Sequence, residues 1–265
     1  TLTLQSLEEY LAVGINRISM GMQSANSNVL KVLDRTHNPE NVAKSVENAR
    51  LAGFENVSLD LIYGTPGETL DQWEQTVSTA LSYGVDHLSA YALIIEDGTK
   101  LSAKIKRGEV KRPDDDLMAQ MYLKVDELAE RTGLPWYELS NWGRPAAHNL
   151  IYWHNQNWWG LGPGAHSHID GTRWWNVKHP SKYSEKLTAF ESPMQDREVL
   201  SDSEKLEEKI MLQIRLREGL QLSELTETQK TVLANYPGQV SISGDRAQLT
   251  PTGRLIADQI VRALI

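Results

Sequence analysis

The spacing of apolar positions in the first hundred residues predicts alternating strands and helices. Short apolar runs at 17–21, 56–64 and 87–95 are typical of buried strands. Between them, the apolar residues of 37–54 and 69–84 recur every three to four positions, as on one face of a helix. Strands that alternate with helices pair in parallel through right-handed crossovers. Three strands are too few to close a barrel, so we expect an open sheet or further strands outside this chain.

Both predicted helices carry terminal signals. Asn38 is a suitable N-cap, Pro39 fits the first helical position, and Gly53 can close the C-terminal end. Thr69 and Gln72 have the spacing of a capping box. We therefore expect two well-defined helices with one apolar face each. These faces consist of Val42, Val46 and Ala49 in the first helix and of Leu70, Trp73, Val77 and Leu81 in the second.

Beyond residue 100 the pattern changes. An amphipathic helix is predicted over 113–133, and the Trp-, His- and Gly-rich segment 144–176 is expected to consist mainly of loops. A helix is predicted over 203–220, followed by a hairpin over 239–250, where apolar residues alternate around an Asp-containing turn. The last amphipathic helix covers 251–265. Helix, hairpin and helix together predict a small winged-helix-like tail.

Composition limits the classes of function. The chain has 265 residues and a net charge of -8. Because nucleic acids and anionic membranes bind to basic surfaces, an acidic chain is a poor candidate for either partner. No apolar run could span a bilayer and no signal peptide is present, so a cytoplasmic location is expected. The absence of cysteine excludes disulfides and thiolate-held metal clusters within the chain. Because the chain begins at Thr1 inside a helical pattern, we expect a fragment of a longer protein.

Polar residues at the predicted strand ends are candidates for ligand binding, because parallel α/β folds bind ligands there. Gln23 follows the first strand, and Arg35 lies in the same strand-to-helix connection. Asp60 lies inside the second strand, where a carboxylate needs a partner or a ligand. It could instead pair with Arg35 or a backbone donor for purely structural reasons. The loop 63–69 could bring backbone N–H groups to a ligand or be an ordinary turn.

In their order and spacing, six stretches resemble radical S-adenosylmethionine (SAM) proteins related to oxygen-independent coproporphyrinogen III oxidase. An HNxxYW motif, one of the six, is typical of the haem chaperone branch of that family, HemW. The resemblance covers essentially the whole chain, including the tail. The stretches are GINRISMGMQS (14–24), VLDRTHN (32–38), VSLDLIYGTPGET (57–69), HLSAYALIIEDGT (87–99), HNLIYW (148–153) and WWGLGPGAHS (158–167).

The resemblance implies three segments. Residues 1–110 would form the C-terminal half of a radical SAM partial (β/α)6 barrel, with parallel strands. Residues 111–199 would form a helical and loop-rich HNxxYW segment, and 200–265 a HemN-type, winged-helix-like C-terminal domain. The family's CxxxCxxC loop and first Gly-rich SAM loop precede GINRISMG and are not in this chain. A [4Fe–4S] cluster is therefore expected in the intact protein only.

The resemblance also assigns SAM-binding positions. Gln23, Arg35 and Asp60 match residues that bind SAM in the family, and Ile94 matches a further position beside it. The chemistry fits, since a carboxamide and a guanidinium can hold the amino-acid group of SAM and a carboxylate can accept from ribose hydroxyls. This match favours a binding role for Asp60 over the structural one.

For haem, the resemblance points to the Trp- and His-rich segment, where indoles could line a porphyrin and an imidazole could bind its iron. His148 is the first candidate ligand, because it opens the motif, and Asn149, Tyr152 and Trp153 complete that motif. His166, which follows the Gly-Pro-Gly turn, is a further candidate. If the motif is helical, Tyr152 shares a face with His148. The second-choice ligands are His154, His166 and His168.

Three other interpretations of this segment stay open. The tryptophans could pack a small core while the histidines bond backbone carbonyls. His148, His166 and His168 could form a nonhaem metal site, although Asp170 is the one acid nearby. The aromatic surface could also stack against a planar or sugar ligand.

The sequence thus predicts part of a radical SAM haem chaperone that binds haem and SAM and delivers haem to respiratory haem proteins. Peripheral membrane association through these acceptors and a homodimer are compatible with this prediction, and nucleic acid is not an expected partner. One alternative is an oxygen-independent coproporphyrinogen III dehydrogenase in porphyrin biosynthesis. The other is a protein-interaction module that uses its tail and binds no haem.

Overall fold

The computed structural model describes residues 2–265 and divides into two compact units, the first ending at Pro145 and the second beginning at Ala146. The helices of the first unit are α1 (Leu4–Ala12), α2 (Ser27–Val32), α3 (Pro39–Ala52), α4 (Leu70–Ser82), α5 (Lys100–Lys106) and α6 (Asp115–Arg131). Its strands are β1 (Ile18–Gln23), β2 (Val57–Tyr63), β3 (His87–Ala92), β4 (Trp136–Glu138) and β5 (Asn141–Gly143).

These five strands form one mixed sheet in the order β1-β2-β3-β5-β4. The first three strands are parallel, so the predicted β-α-β-α-β arrangement is confirmed. β5 and β4 then add two antiparallel strands that the apolar pattern did not predict. Three-residue strands are too short to show a period of two, so no apolar pattern could predict them.

The predicted helix ends are also confirmed. The Asn38 side chain accepts the backbone N–H of Glu40, and Gly53 ends α3 in the left-handed region at φ 104°. In α4, Thr69 and Gln72 exchange the two hydrogen bonds of a capping box. Each cap satisfies backbone donors that a helix leaves free at its first turn.

The core of the first unit lies between the sheet and helices α3, α4 and α6. The buried sheet residues on this side are Met20, Met22, Leu59, Leu61, Leu88, Ala90 and Trp142. The indole N–H of Trp73 donates to the carbonyl of Met121 at 2.8 Å, which fixes α4 against α6. The sheet therefore uses one face for packing and leaves the other face for polar groups.

The second unit contains two small antiparallel sheets, ordered β6-β7-β8 and β10-β11-β9. Its helices are α7 (Ala147–Trp153), α8 (Pro180–Thr188), α9 (Asp202–Gln213), α10 (Glu227–Ala234), α11 (Pro251–Leu255) and α12 (Ala257–Leu264), with a 3-10 turn at Leu222–Glu224. Its strands are β6 (His166–Ile169), β7 (Thr172–Asn176), β8 (Met194–Val199), β9 (Leu220–Gln221), β10 (Val240–Ser243) and β11 (Arg246–Leu249).

The expectation that 144–176 consists mainly of loops holds for only about half of the segment. Helix α7 carries the HNxxYW motif, and β6 and β7 form a tight hairpin. The turn of this hairpin is Asp170-Gly171, with φ of 50° and 81°. Such positive angles match the twist of the flanking strands, and Asp-Gly is a favoured sequence for them. The dipeptide was the signal that could have predicted this hairpin.

Three predicted bounds need correction. β3 ends at Ala92 rather than at 95, because its ladder partner β2 ends at Tyr63. The helix predicted over 203–220 ends at Gln213, and the chain then turns through Gly219 to place β9 beside β11. The last helix is broken at Ile256 into α11 and α12. The hairpin over 239–250 is confirmed.

The domain bounds at 110 and 199 and the winged-helix-like character of the tail stay predictions. Within residues 2–265, no helix is long and apolar enough to cross a membrane.

Candidate functional site

The face of the first sheet that lies opposite its packed leucines is polar. Asp60 on β2 accepts hydrogen bonds from the Ser19 hydroxyl of β1, at 2.9 and 3.1 Å to its two oxygens. Across the sheet its register partners are Gly21 on β1 and Ser89 on β3. The carboxylate is therefore bound to a neighbouring strand rather than to Arg35. One hydroxyl leaves most of its lone pairs available for other donors.

Gln23 lies beside Asp60 because β1 is irregular at its end. The register shifts between Gly21 and Gln23, and Gln23 adopts a left-handed backbone with φ 62°. Its side chain folds back over Gly21, where a Cβ atom would stand 2.6 Å from the amide nitrogen. The carboxamide of Gln23 thus covers the residue paired with Asp60.

Arg35 follows helix α2 in the chain, after Asp34, whose backbone is left-handed at φ 56°. It lines a cleft of about 620 Å³ at the carboxyl ends of β2 and β3. Ile62, two residues beyond Asp60 on β2, lines the same cleft, as does the largely exposed Ile94. The cleft therefore gathers Arg35 and Ile94, while Gln23 and Asp60 lie on the adjoining part of the polar face.

This strand-end cleft is basic in an acidic chain. Lys31, Lys100 and Lys104 line it together with Arg35, and the acid in its lining is Asp34. Lys100 lies 3.7 Å from the Asp34 carboxylate, but both side chains are largely exposed, so the pair is weak. Lys100 and Lys104 lie on α5, a short helix that no pattern in the sequence predicted, and Lys31 lies on α2.

The loop 63–69 holds a buried acid, Glu68. Its carboxylate accepts the backbone N–H of Thr65 at 3.2 Å, and burial raises its pKa to about 7. The second carboxylate oxygen and the Thr65 hydroxyl are buried without a hydrogen-bond partner. Glu68 stabilises the turn that ends β2, and the sequence offered no signal for its burial.

His87 begins β3, at the opposite end of the strands from the cleft. Its Nδ1 lies 2.7 Å from the Ser58 hydroxyl and its Nε2 lies 2.9 Å from the Tyr137 hydroxyl. Burial, with the charge of Arg17 as a smaller cause, lowers its pKa to about 3. These contacts make His87 a neutral structural residue.

In the second unit the structure distinguishes the four histidines of the segment. The His168 Nδ1 donates to the Gln156 carbonyl at 3.1 Å, and its Nε2 accepts from the Gly171 N–H at 3.2 Å. His154 Nε2 lies 3.1 Å from the Glu218 carboxylate. For His168 the packing interpretation is therefore correct, because both ring nitrogens are satisfied inside the fold.

His148 and His166 are the two exposed histidines of this set. His148 Nε2 lies 3.2 Å from the Tyr152 hydroxyl, so the two residues share a face of α7 as predicted. The His166 ring makes no hydrogen bond with the residues that the structure describes, and it stacks on Trp175 at 5.7 Å and 27°. His166 thus presents a free imidazole held by an indole.

Aromatic contacts connect His148 with the buried His168 through Tyr152 and Trp158. Tyr152 contacts His148 at 5.1 Å and Trp158 at 5.0 Å, and Trp158 contacts His168 at 4.8 Å. Of the other motif residues, Asn149 and Trp153 are half-buried on α7. A second pair, Trp159 and Trp174, meets edge to face at 5.1 Å, with Trp159 67% exposed. The segment therefore presents exposed aromatic rings in addition to the imidazole of His166.

A nonhaem metal site finds no support here. Among residues 2–265, no group of three or more His, Asp or Glu side chains has an arrangement that could hold a metal ion. His168 is already occupied by backbone groups, which removes one member of the proposed ligand set.

Comparison with known proteins agrees with this geometry. The sequence profile of the Radical SAM superfamily matches residues 1–80. Heme chaperone HemW of Mycobacterium tuberculosis is 47% identical over 261 residues, covering 96% of this chain and 66% of the relative. Heme chaperone HemW of Bacillus subtilis is 32% identical over 277 aligned positions, covering 100% of this chain and 73% of the relative. The chain belongs to the HemW family.

The fold agrees with this assignment. Coproporphyrinogen III oxidase (HemN) from Escherichia coli, a radical SAM enzyme, superposes with a TM-score of 0.81 over 99% of this chain and 67% of the oxidase. At 20% identity this similarity concerns the fold alone. The chain spans 66% of the length of its mycobacterial relative.

Proposed function

We propose that the intact protein is a haem chaperone of the radical SAM family, which binds haem and SAM and passes haem to acceptor haem proteins of respiration. The observation that carries this proposal is the free His166 imidazole stacked on Trp175, in a chain whose relatives over almost its whole length are named haem chaperones. The likeness to the oxidase is one of fold and does not favour dehydrogenation.

In this proposal the polar face and the cleft of the first unit bind SAM. Asp60, whose Ser19 contact leaves lone pairs free, accepts from the ribose hydroxyls. Arg35 pairs with the SAM carboxylate and Gln23 hydrogen-bonds the amino-acid group. The exposed Ile94 lies against the adenine. This chain has no cysteine, so its own residues do not hold a [4Fe–4S] cluster through thiolates.

The second unit would bind haem. We rank His166 above His148 as the iron ligand, because the His148 Nε2 is engaged with Tyr152 whereas the His166 ring is free. His148 and Tyr152 then supply an edge of the aromatic surface. Asn149 and Trp153 hold α7 in place rather than contacting the iron. In the intact protein we further propose respiratory acceptors near the membrane, and a homodimer.

Haem transfer tests the proposal. The haem-loaded intact protein is mixed with the haem-free form of a respiratory haem protein, and the absorption spectrum of the acceptor is followed against a free-haem control. We expect the acceptor to gain its native spectrum faster from the chaperone than from free haem. Retention of haem by the donor would contradict the proposal. Decarboxylation of coproporphyrinogen III by the intact protein would instead favour the dehydrogenase.

A further inference from the structure

The second unit contains a polar cleft that the haem proposal has not used. This cleft, of about 490 Å³, lies between the β6–β7 hairpin and helix α9. Two lysines of α9 and several neutral donors face it, and one acid lies in its lining. The lining residues are His154, Asn155, Asn157, His168, Asp170, Gly171, Lys205, Lys209 and Gln213. We call it the hairpin cleft.

Lys205 packs against the turn of the hairpin, in space that is open because Gly171 has no side chain. A Cβ atom there would stand 2.3 Å from the Lys205 Cε and 3.2 Å from its ammonium nitrogen. Gly171 is also the left-handed residue of the turn. The lysine stem therefore lies directly on the backbone of the turn, and its ammonium group is aimed at the hairpin cleft.

Of the two lysines in the cleft, Lys205 has the less compensated charge. Asp170 is engaged with Asn157, which donates to its carboxylate at 2.9 Å and accepts its backbone N–H at 2.8 Å. The partner of Lys205, Asp202, lies 3.3 Å away and is fully exposed, so solvent screens that pair. Lys209 pairs with Glu224, which is not part of the lining. The ammonium group of Lys205 is therefore the one available to an anionic ligand.

The hairpin cleft and His166 lie on one face of the β6-β7-β8 sheet. His168 lines the cleft, and His166 is two residues away on the same strand, so their side chains point to the same face about 7 Å apart. Helix α9 covers the hairpin end of this face, where Arg173 contacts Glu208. The end with His166 and Trp175 is open. A porphyrin beside His166 and Trp175 can thus extend its carboxylate groups towards α9.

We propose that the hairpin cleft binds the carboxylates of the haem whose iron is bound by His166, with Lys205 as the principal cation and Lys209 and Asn157 as additional donors. This inference rests on the proposed haem function. It adds the second half of the binding site: His166 recognises the iron, and α9 recognises the acid side chains of the porphyrin.

The test compares two metal-free probes on the intact protein, protoporphyrin IX and its dimethyl ester, which lacks the negative charges. The variants are Lys205→Gln, the Lys205→Gln/Lys209→Gln double and Lys205→Arg. Lys230→Gln is the matched control, because this lysine of the same unit lies on α10 and pairs with Glu227. Fluorescence titration gives the ratio of the diacid affinity to the ester affinity, and circular dichroism checks folding.

We expect wild type, Lys205→Arg and Lys230→Gln to prefer the diacid, and the double variant to lose about tenfold of that preference, equivalent to about 1.4 kcal/mol. Lys205→Gln should lose part of it, and the ester affinity should not change. His166→Ala should keep the preference, since these probes contain no iron. An unchanged ratio in the double variant overturns the carboxylate-binding role of the hairpin cleft and leaves the haem function as proposed. Failure of wild type to bind either porphyrin overturns the haem function as well.

Discussion

At the scale of single residues, partners that are distant in the chain decide how each candidate side chain is engaged. A carboxylate inside an apolar strand needs a partner, and for Asp60 this partner is Ser19, 41 residues away on another strand. Among the four histidines of the Trp-rich segment, the HNxxYW motif favours His148 and its contact with Tyr152 follows from helical spacing. The contacts of His168 with Gln156 and of His154 with Glu218 join more distant residues, and no local pattern encodes them.

The first prediction at this scale concerns Asp60. In the intact protein, Asp60→Ala should raise the dissociation constant of SAM by roughly tenfold or more, because hydrogen bonds to a charged acceptor are lost. Isothermal titration calorimetry measures the change. Asp71→Asn, an exposed carboxylate in the first turn of α4, is the control and should leave SAM binding as it is. Equal affinities for wild type and Asp60→Ala would show that Asp60 has no binding role.

The second concerns His87, whose folded pKa of about 3 lies below the ordinary 6.5. The unfolded chain takes up the proton first as the pH falls, so this residue should cost stability progressively between pH 6.5 and 3, in total about 5 kcal/mol. His87→Gln should remove that slope. Amide hydrogen exchange of β2 and β3 at several pH values reports it, and parallel slopes in both proteins would contradict the assignment.

At the scale of elements, the long periodic segments were predictable and the short ones were not. Helices α3 and α4 have complete caps and apolar faces, and their bounds follow from the sequence. β4, β5 and β9 span three residues or fewer, and tertiary pairing rather than local preference creates them. For the hairpin within 144–176, the Asp170-Gly171 turn is the local signal in the sequence.

Gly160 provides a prediction for the sheet of the second unit. A Cβ atom at this position would stand 2.1 Å from the carbonyl oxygen of His166, so the backbone of β6 approaches it too closely for alanine. Gly160→Ala should lower the free energy of unfolding by about 2 kcal/mol or more and displace His166. Leu161→Ala, at a neighbouring residue that is 82% exposed, should be nearly neutral. Urea denaturation compares them, and equal stabilities would contradict the predicted crowding.

At the scale of the whole molecule, the sequence predicted the parallel α/β part and the relation to radical SAM proteins, because these depend on long runs in a fixed order. It did not predict the division after Pro145, since no Pro- or Gly-rich linker marks it. The two lysine-lined clefts were also missed, because each is assembled from elements distant in the chain.

Strand β1 provides a prediction at this scale. Within the described residues it pairs with β2 on one side, and its other edge carries no strand. Unpaired backbone groups along a strand favour pairing with another chain. The 265-residue chain should therefore associate as its concentration rises, as sedimentation velocity would show. A single monomeric species over the whole concentration range would contradict this expectation.

The central claim is that His166 binds haem iron in this HemW family member. It is tested most directly by titrating haem into the folded wild type and into His148→Ala, His166→Ala and His168→Ala, with thermal melts in parallel. We predict that the shifted Soret band of wild type persists in His148→Ala and is lost in a folded His166→Ala. His168→Ala should lose stability instead, because two backbone groups lose their partner. An unaltered Soret band in folded His166→Ala would contradict the account.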